Sequence, residues 1–446
     1  MTTLGRWSSV AAVLSGALLF ASCSAQSNDG GVEVSNSNET RNTTPRTTHA
    51  DWPRFRGPAG TGISDATGLP LTWGQGENVA WTQTVPGAGS SSPIVQGDHV
   101  YVTSYSGYLV PGEPEGRLKD LQRHLSCLDQ NDGTLLWSRA VKAKLPEGER
   151  VRDHGYAAST PAADADRVYM FFGRSGVHAY DHEGNALWNT DVGSNTHEWG
   201  TGASPVLYEE LVFINASVES ESLIALDRET GEERWRARGI NEAWNTPLVV
   251  RTAEGADELL IATHGKIRAF DPRSGEALWT CDTDISWYMV PSPVAADGIA
   301  YFLGGRSGTA ALAVRTGGRG DVTATHRLWT SKKGSNVSSP VYRDGYLYWV
   351  HEQRGTAYCA RAETGEVVYE ERLDGCDQVY ASALLADGRL YYLDRAGKTF
   401  VLAAKPAFEL LRTNDLRDGS IFDASPAVRG NQLLLRSNTH LYCIGG

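Results

Sequence analysis

No stretch of this 446-residue chain is rich in lysine or arginine, and its balance is acidic, 41 Lys+Arg against 53 Asp+Glu for a net charge of −12. Nucleic-acid surfaces need a basic patch, so no nucleic-acid partner is expected. No apolar run reaches the ~20 residues that a membrane-spanning helix requires. The N-terminal run, residues 10–21 (VAAVLSGALLFA), stops at 12. The six cysteines, at 23, 127, 281, 359, 376 and 443, include no adjacent pair and no C-x-x-C spacing, so neither a zinc site nor a disulfide is expected. The G-x-S-x-G, H-E-x-x-H and phosphate-loop patterns are missing as well. His154 and His197 stand close to Asp153 and Glu198, but no third ligand or nucleophile accompanies them, and turn-satisfying roles are expected. No catalytic residue and no metal ligand is assigned.

What is present begins with a targeting signal. Arg6 supplies a positive charge ahead of the short apolar run, which suits a secretory signal peptide. The run ends in Phe20-Ala21-Ser22-Cys23, which resembles a bacterial lipobox with Phe where Leu is usual. The resemblance implies cleavage after residue 22, a lipid on Cys23 and a new N-terminus there. Ser24, rather than Asp, follows the cysteine, and by the same resemblance this favours the outer membrane. Residues 24–50 are rich in Ser, Thr, Asn and Gly, with almost nothing large and apolar to offset ordering entropy. A signal peptide (1–22), a flexible tether (23–50) and one folded unit (51–446) are therefore expected.

The folded unit is repetitive, with 48 glycines and 13 tryptophans. A Ser/Thr-Pro pair opens a short apolar strand at Ser92-Pro93, Thr160-Pro161, Ser204-Pro205, Thr246-Pro247, Ser292-Pro293, Ser339-Pro340 and Ser425-Pro426, with Ser382-Ala383 as a degenerate copy. Successive pairs lie 68, 44, 42, 46, 47, 43 and 43 residues apart. A period in the forties matches one four-stranded propeller blade, and 68 is one blade with insertions. Each unit then carries a small residue, Asp, a Gly turn and Trp, as in Ala225, Asp227, Gly231 and Trp235. Glycine suits the tight turn between third and fourth strands, and Trp on the outer strand is expected to pack between blades. Later copies decay: Tyr369 replaces Trp, and unit seven has only Phe408 and Leu411 nearby. Unit eight stops after a third strand at 440–444, so the strand at 79–85 (VAWTQTV), with Trp81 at the outer position, is expected to complete it and close the ring. The predicted fold is all-β, an eight-bladed β-propeller.

Ala225, Asp227, Thr230, Gly231 and Trp235 match the A-x-D-x-x-T-G-x-x-x-W pattern of pyrroloquinoline quinone (PQQ)-type repeats. The segment from Trp52 to Pro58 (WPRFRGP) resembles the opening of envelope proteins called PQQ-binding-like or BamB-like. The resemblance implies a lipid-anchored scaffold at the periplasmic face of the outer membrane, binding an envelope protein or peptide segment as a monomeric propeller. A PQQ-dependent oxidoreductase and a carbohydrate-binding propeller are the alternatives. Alcohol-oxidising relatives place the quinone under a disulfide of adjacent cysteines, which this chain lacks, so no cofactor is expected. Cys127, Cys359 and Cys443 occupy the third-strand position of Ala179, Ala225 and Ala269, where a free thiol acts as a small hydrophobe. Cys281 and Cys376 read as connector residues.

Blade topology places the inter-blade connectors on one face, together with the loops between second and third strands. The connectors supply a candidate binding face of Tyr156, Trp199, Trp244, Trp287, Tyr288, Tyr380 and Phe422, with acidic and polar neighbours Asp153, Glu198, Glu242, Asn245, Asp377 and Asp423. An aromatic, acidic funnel could bind a ligand or peptide; the same aromatics could instead plug the hub. The insertion at 105–124 and the connector at 141–158 read as polar surface loops on this face.

Overall fold

The computed structural model describes residues 51–445, apart from 153, 286 and 307–309; Cys23, the signal peptide, the tether and Asp153 lie outside the described residues. Eight antiparallel four-stranded sheets, seven of them from sequential strands, form the blades of a propeller. Blade 1 runs Ile94–Gln96, His99–Ser106, Gln122–Asp129 and Leu135–Lys142 from the hub outward. Middle strands are buried on both faces because neighbouring blades cover them, so they read as continuous apolar runs such as Leu211–Ala216 (LVFINA). Two blades add a short parallel strand: Gly320–Asp321 outside blade 4, and Ile63–Ser64 at the inner edge of blade 7.

The ring closes as the repeat count requires. Val79–Thr84 pairs antiparallel with His440–Ile444, setting Trp81 opposite Cys443, and becomes the outer strand of blade 8. The Ser/Thr of each strand opening closes the hub a second way. Its backbone N–H donates to the hydroxyl of the next blade's equivalent, from Ser92 to Thr160 (2.8 Å), on through Ser204, Thr246, Ser292, Ser339 and Ser382, and finally from Ser425 back to Ser92 (3.0 Å). Proline fits the next position because it brings no N–H to satisfy at a crowded axis. Where Ala383 replaces it, the extra N–H donates to Ser339 O at 3.3 Å.

The Gly and Trp of the repeat interlock between blades. A Cβ on Gly231 would lie 2.6 Å from the Trp188 ring of the preceding blade, and Gly133–Trp81, Gly184–Trp137, Gly275–Trp235 and Gly365–Trp329 repeat the contact. The indole N–H then donates to a turn carbonyl of the next blade, Trp188 to Arg228 O at 3.1 Å and Trp329 to Ala362 O at 2.9 Å. Phe408 does not stand in for blade 7's own tryptophan. It packs edge-on against Tyr369 of blade 6 at 5.7 Å. Blade 7's tryptophan comes instead from the N-terminal segment. Tyr101, Tyr169, Phe213 and Tyr301 each contact the Trp of their own blade, whereas their counterpart Tyr391 stacks with Trp73 at 6.4 Å. The Trp73 backbone N–H donates to Asn414 Oδ1 at 3.0 Å.

Cys127, Cys359 and Cys443 are buried in third strands. Cys281, expected in a connector, instead lies in the outer strand Ala277–Asp282, buried against Trp279, Ile285 and Met289. Cys376 does lie between strands.

Candidate functional site: a blind axial funnel

The axis opens on the connector face and is blocked on the other. Residues 52–64 cross the hub from the hairpin side, where Trp52 bridges Val95 in blade 1 and Pro53 O accepts from Ala163 N in blade 2. Arg56 is fully enclosed and donates to Ser292 O (3.2 Å), Pro293 O (3.5 Å), Thr61 O (2.8 Å) and, closely, Pro340 O, tying blades 5 and 6. Burial pulls its guanidinium down from 12.5 to about 9. Phe55 faces the funnel and forms part of its base. The hub plug is thus the WPRFRGP segment, and not the connector aromatics. Its conspicuous sequence marked the motif, but nothing periodic in it indicated the hub.

The funnel is a cavity of about 210 Å³. All eight ring hydroxyls line it near the base, and Trp199, Trp244, Tyr288 and Tyr380 form its aromatic wall. These four come from the connectors, as the topology requires, and three of them meet ring to ring: Trp199–Tyr288 at 6.0 Å and Trp244–Tyr288 at 5.4 Å. Their burial differs. Trp244 is only 9% exposed and its indole N–H donates to Gly200 O at 2.8 Å, whereas Trp199 is half-buried between the guanidinium groups of Arg152 (5.2 Å) and Arg306 (5.6 Å). Trp287, 42% exposed, lies outside the cavity wall against Tyr288.

Two further candidates also stay off the wall. Phe422 is fully buried, stacked on Tyr442 and packed against Gly397, so it is core. Tyr156 belongs to a small apolar cluster with Ala88, Tyr105, Val110, Leu121 and Ala143. The blade 1 insertion is exposed along residues 111–117, as a surface loop should be, while its base is packed through that cluster. The insertion and the 141–158 connector clasp each other, with Tyr108 Oη donating to Glu149 O (2.7 Å) and a buried Arg123–Glu147 ion pair (2.6 Å).

The funnel is also less acidic than its sequence implies. Glu198 pairs with Arg152 (2.8 Å), Asp423 with Arg395 (2.7 Å) and Glu242 with His264 (2.6 Å). Asn245 is buried and holds Ala262 by both its backbone groups. Asp377 is exposed, and its N–H donates to Asp394 Oδ2 at 2.9 Å. His154 lines the cavity; His197 packs edge-on against Trp244 at 5.0 Å, and its Nδ1 accepts from Trp199 N. Among the described residues no three His, Cys, Asp or Glu side chains gather as a metal site.

Behind the wall, Glu219 is buried and pushed up to about 7 by desolvation, opposed by a close hydrogen bond from Thr201 Oγ1. Its Oε2 has no hydrogen-bond partner. Its backbone oxygen accepts from Ser194 N and Asn195 N, so this residue anchors the connector that carries Trp199. Because the folded value exceeds the unfolded one, the contribution of this group is most favourable below about pH 4.5 and declines as pH rises to about 7. The full penalty of about 3 kcal/mol applies above that. Glu219→Gln is expected to melt higher than wild type at pH 8 and equally at pH 4.5. Parallel melting curves across that range would show that the carboxyl carries no such cost.

These features define an eight-bladed propeller of sequential four-stranded repeats with one open and one plugged axial end. The chain belongs to the family described as outer membrane protein assembly factor BamB, which matches residues 71–198 and 121–371. Among solved structures it is similar to BamB from Moraxella catarrhalis, at 15% identity and TM-score 0.57, covering 82% of this chain and 98% of that one. It is also similar to the quinohemoprotein alcohol dehydrogenase of Comamonas testosteroni, at 11% identity and TM-score 0.63, covering 89% of this chain and 81% of that one. None of the curated proteins matches the sequence. At these identities the structural likeness establishes the fold, which serves both an assembly factor and an oxidoreductase.

Proposed function

We propose that this protein is a lipid-anchored, non-catalytic scaffold of the bacterial cell envelope that captures a segment of an envelope protein in its axial funnel. The carrying observation is the wall of Trp199, Trp244, Tyr288 and Tyr380 above a base closed by Phe55, large enough to take side chains. A quinone with calcium fits these residues poorly. Of the acids on the wall, Asp423 is engaged by Arg395, and Glu352 Oε2 accepts from Ser335 Oγ and Asn336 N. No adjacent cysteines stand anywhere in the chain. The family's name supports an envelope location, and no helix among the described residues is long and apolar enough to cross a membrane. Membrane attachment then rests on Cys23, and one propeller per chain acts as a monomer.

Trp199→Ala is expected to weaken partner capture roughly thirtyfold, the effect of losing a contact of about 2 kcal/mol, while leaving thermal unfolding nearly unchanged. Trp244→Ala removes a buried ring and is expected to cost about 3 kcal/mol of stability as well. Undiminished capture by a folded Trp199→Ala protein would remove the funnel from the binding surface. Cys23→Ala should shift the folded protein from the membrane to the soluble fraction; membrane retention of the processed variant would rule out a lipid anchor.

A further inference from the structure

The base of the funnel has a polarity that its aromatic wall conceals. Each of the eight ring hydroxyls accepts one backbone N–H from its neighbour, yet none donates to an acceptor among the described residues. Eight O–H protons are therefore left for whatever enters the cavity. Above them stands Arg306, exposed on the loop between the second and third strands of blade 5. It lies over Trp199 and pairs with no carboxylate among the described residues. The cations beside it are matched, Arg152 by Glu198 and Arg395 by Asp423. The remaining wall acid, Glu352, is held by Ser335 Oγ and Asn336 N, with His351 Nδ1 3.5 Å away. One acceptor is unsatisfied: Asn336 Oδ1, enclosed in the wall, has no hydrogen-bond partner.

A buried amide oxygen without a donor costs about 1–3 kcal/mol, and an unpaired cation at a partly enclosed site favours an anion. The plug formed by Phe55 and Arg56 adds a steric condition. Because the funnel is blind, a polypeptide cannot thread through it, and a chain end is the simplest part to reach the base. We propose that the funnel takes the free C-terminus of a partner chain. Its carboxylate is held by Arg306 and the ring hydroxyls, its last peptide N–H is directed to Asn336 Oδ1, and its final apolar side chains lie against Trp199, Trp244 and Tyr288. An N-terminal ammonium in the same place would meet the Arg306 guanidinium, which disfavours it. This inference rests on the proposed role of the funnel as a capture site and specifies which part of the partner it receives.

The test is calorimetric titration of the full-length protein with an N-acetylated heptapeptide ending in phenylalanine. The peptide is used as the free acid and as the carboxamide, with glucuronate as an acidic sugar control. The free acid is expected to bind at least about tenfold more tightly than the amide, reflecting a charge-assisted hydrogen bond. Arg306→Gln, exposed and therefore folded as judged by its melt, should abolish that difference without weakening the amide further. Equal binding of acid and amide, or no binding of either, overturns the assignment. Binding of glucuronate alone, lost in Arg306→Gln, would overturn it in favour of an acidic saccharide. If both peptides fail while capture still depends on Trp199, only the carboxylate assignment is lost. If capture is indifferent to Trp199, the funnel reading falls with it.

Discussion

Removal of residues 79–84 is expected to leave no cooperatively folded ring. The strand contributes five paired positions along His440–Ile444, and Trp81 seals the junction with blade 1 by donating to Gln130 O at 3.3 Å. Losing the tryptophan alone costs about 3–5 kcal/mol, and each lost ladder bond adds up to about 1 kcal/mol. The deletion also uncovers Leu441 and Cys443, both fully buried, along an edge open to pairing with other chains. Together these approach or exceed the ~5–15 kcal/mol by which most folded domains are stable. Thermal unfolding by calorimetry and size-exclusion chromatography should show loss of the transition and aggregation. Deletion of residues 24–50, in contrast, should leave the melt nearly unchanged. A variant lacking 79–84 that melts within a few degrees of wild type would contradict closure by this strand.

Arg56→Ala is expected to cost about 4 kcal/mol, a large effect for one substitution. It strips donors from the carbonyls of Thr61, Ser292, Pro293 and Pro340, three of them just ahead of the inner strands of blades 5 and 6, and leaves a void at the hub. Buried acceptors without partners cost about 1–3 kcal/mol each, and the void adds to that. Part is returned, because the guanidinium itself is held out of water without a carboxylate. Arg56→Met fills the void without supplying donors, so it should fall between wild type and Arg56→Ala in denaturant titration. If Arg56→Ala unfolds at the wild-type midpoint, the segment is a surface strap rather than a plug.

Periodicity accounts for what could be read in advance. The Ser/Thr-Pro openings sit at equivalent points of eight similar units, so blade count and hub position follow from spacing, and the short eighth unit identifies Val79–Thr84 as its missing strand. The non-repeating pieces were opaque because their partners are set only by the assembled ring. Trp73 does not announce that it will replace blade 7's missing tryptophan, nor Arg56 that it will bind carbonyls more than 230 residues away. The same limit applied to the connectors. An irregular backbone has no two-residue alternation from which to read side-chain direction. Hence Trp199, Trp244 and Phe422 could be placed on connectors, but not sorted into exposed wall, buried wall and core. The acidic reading failed for a related reason: composition counted carboxylates, whereas Arg152 and Arg395 arrive from elsewhere to pair them.

The most direct test of a one-faced, blind-ended capture site is site-specific photo-crosslinking in living cells. A photoreactive amino acid at position 199 or 287 faces the funnel and its rim, whereas positions 97 and 345 lie on hairpins of the opposite face, with open space around them. Adducts with envelope proteins should form from 199 and 287 and not from 97 or 345. Adducts from 97 and 345, with none from 199, would place the partner on the plugged face and contradict capture through the funnel.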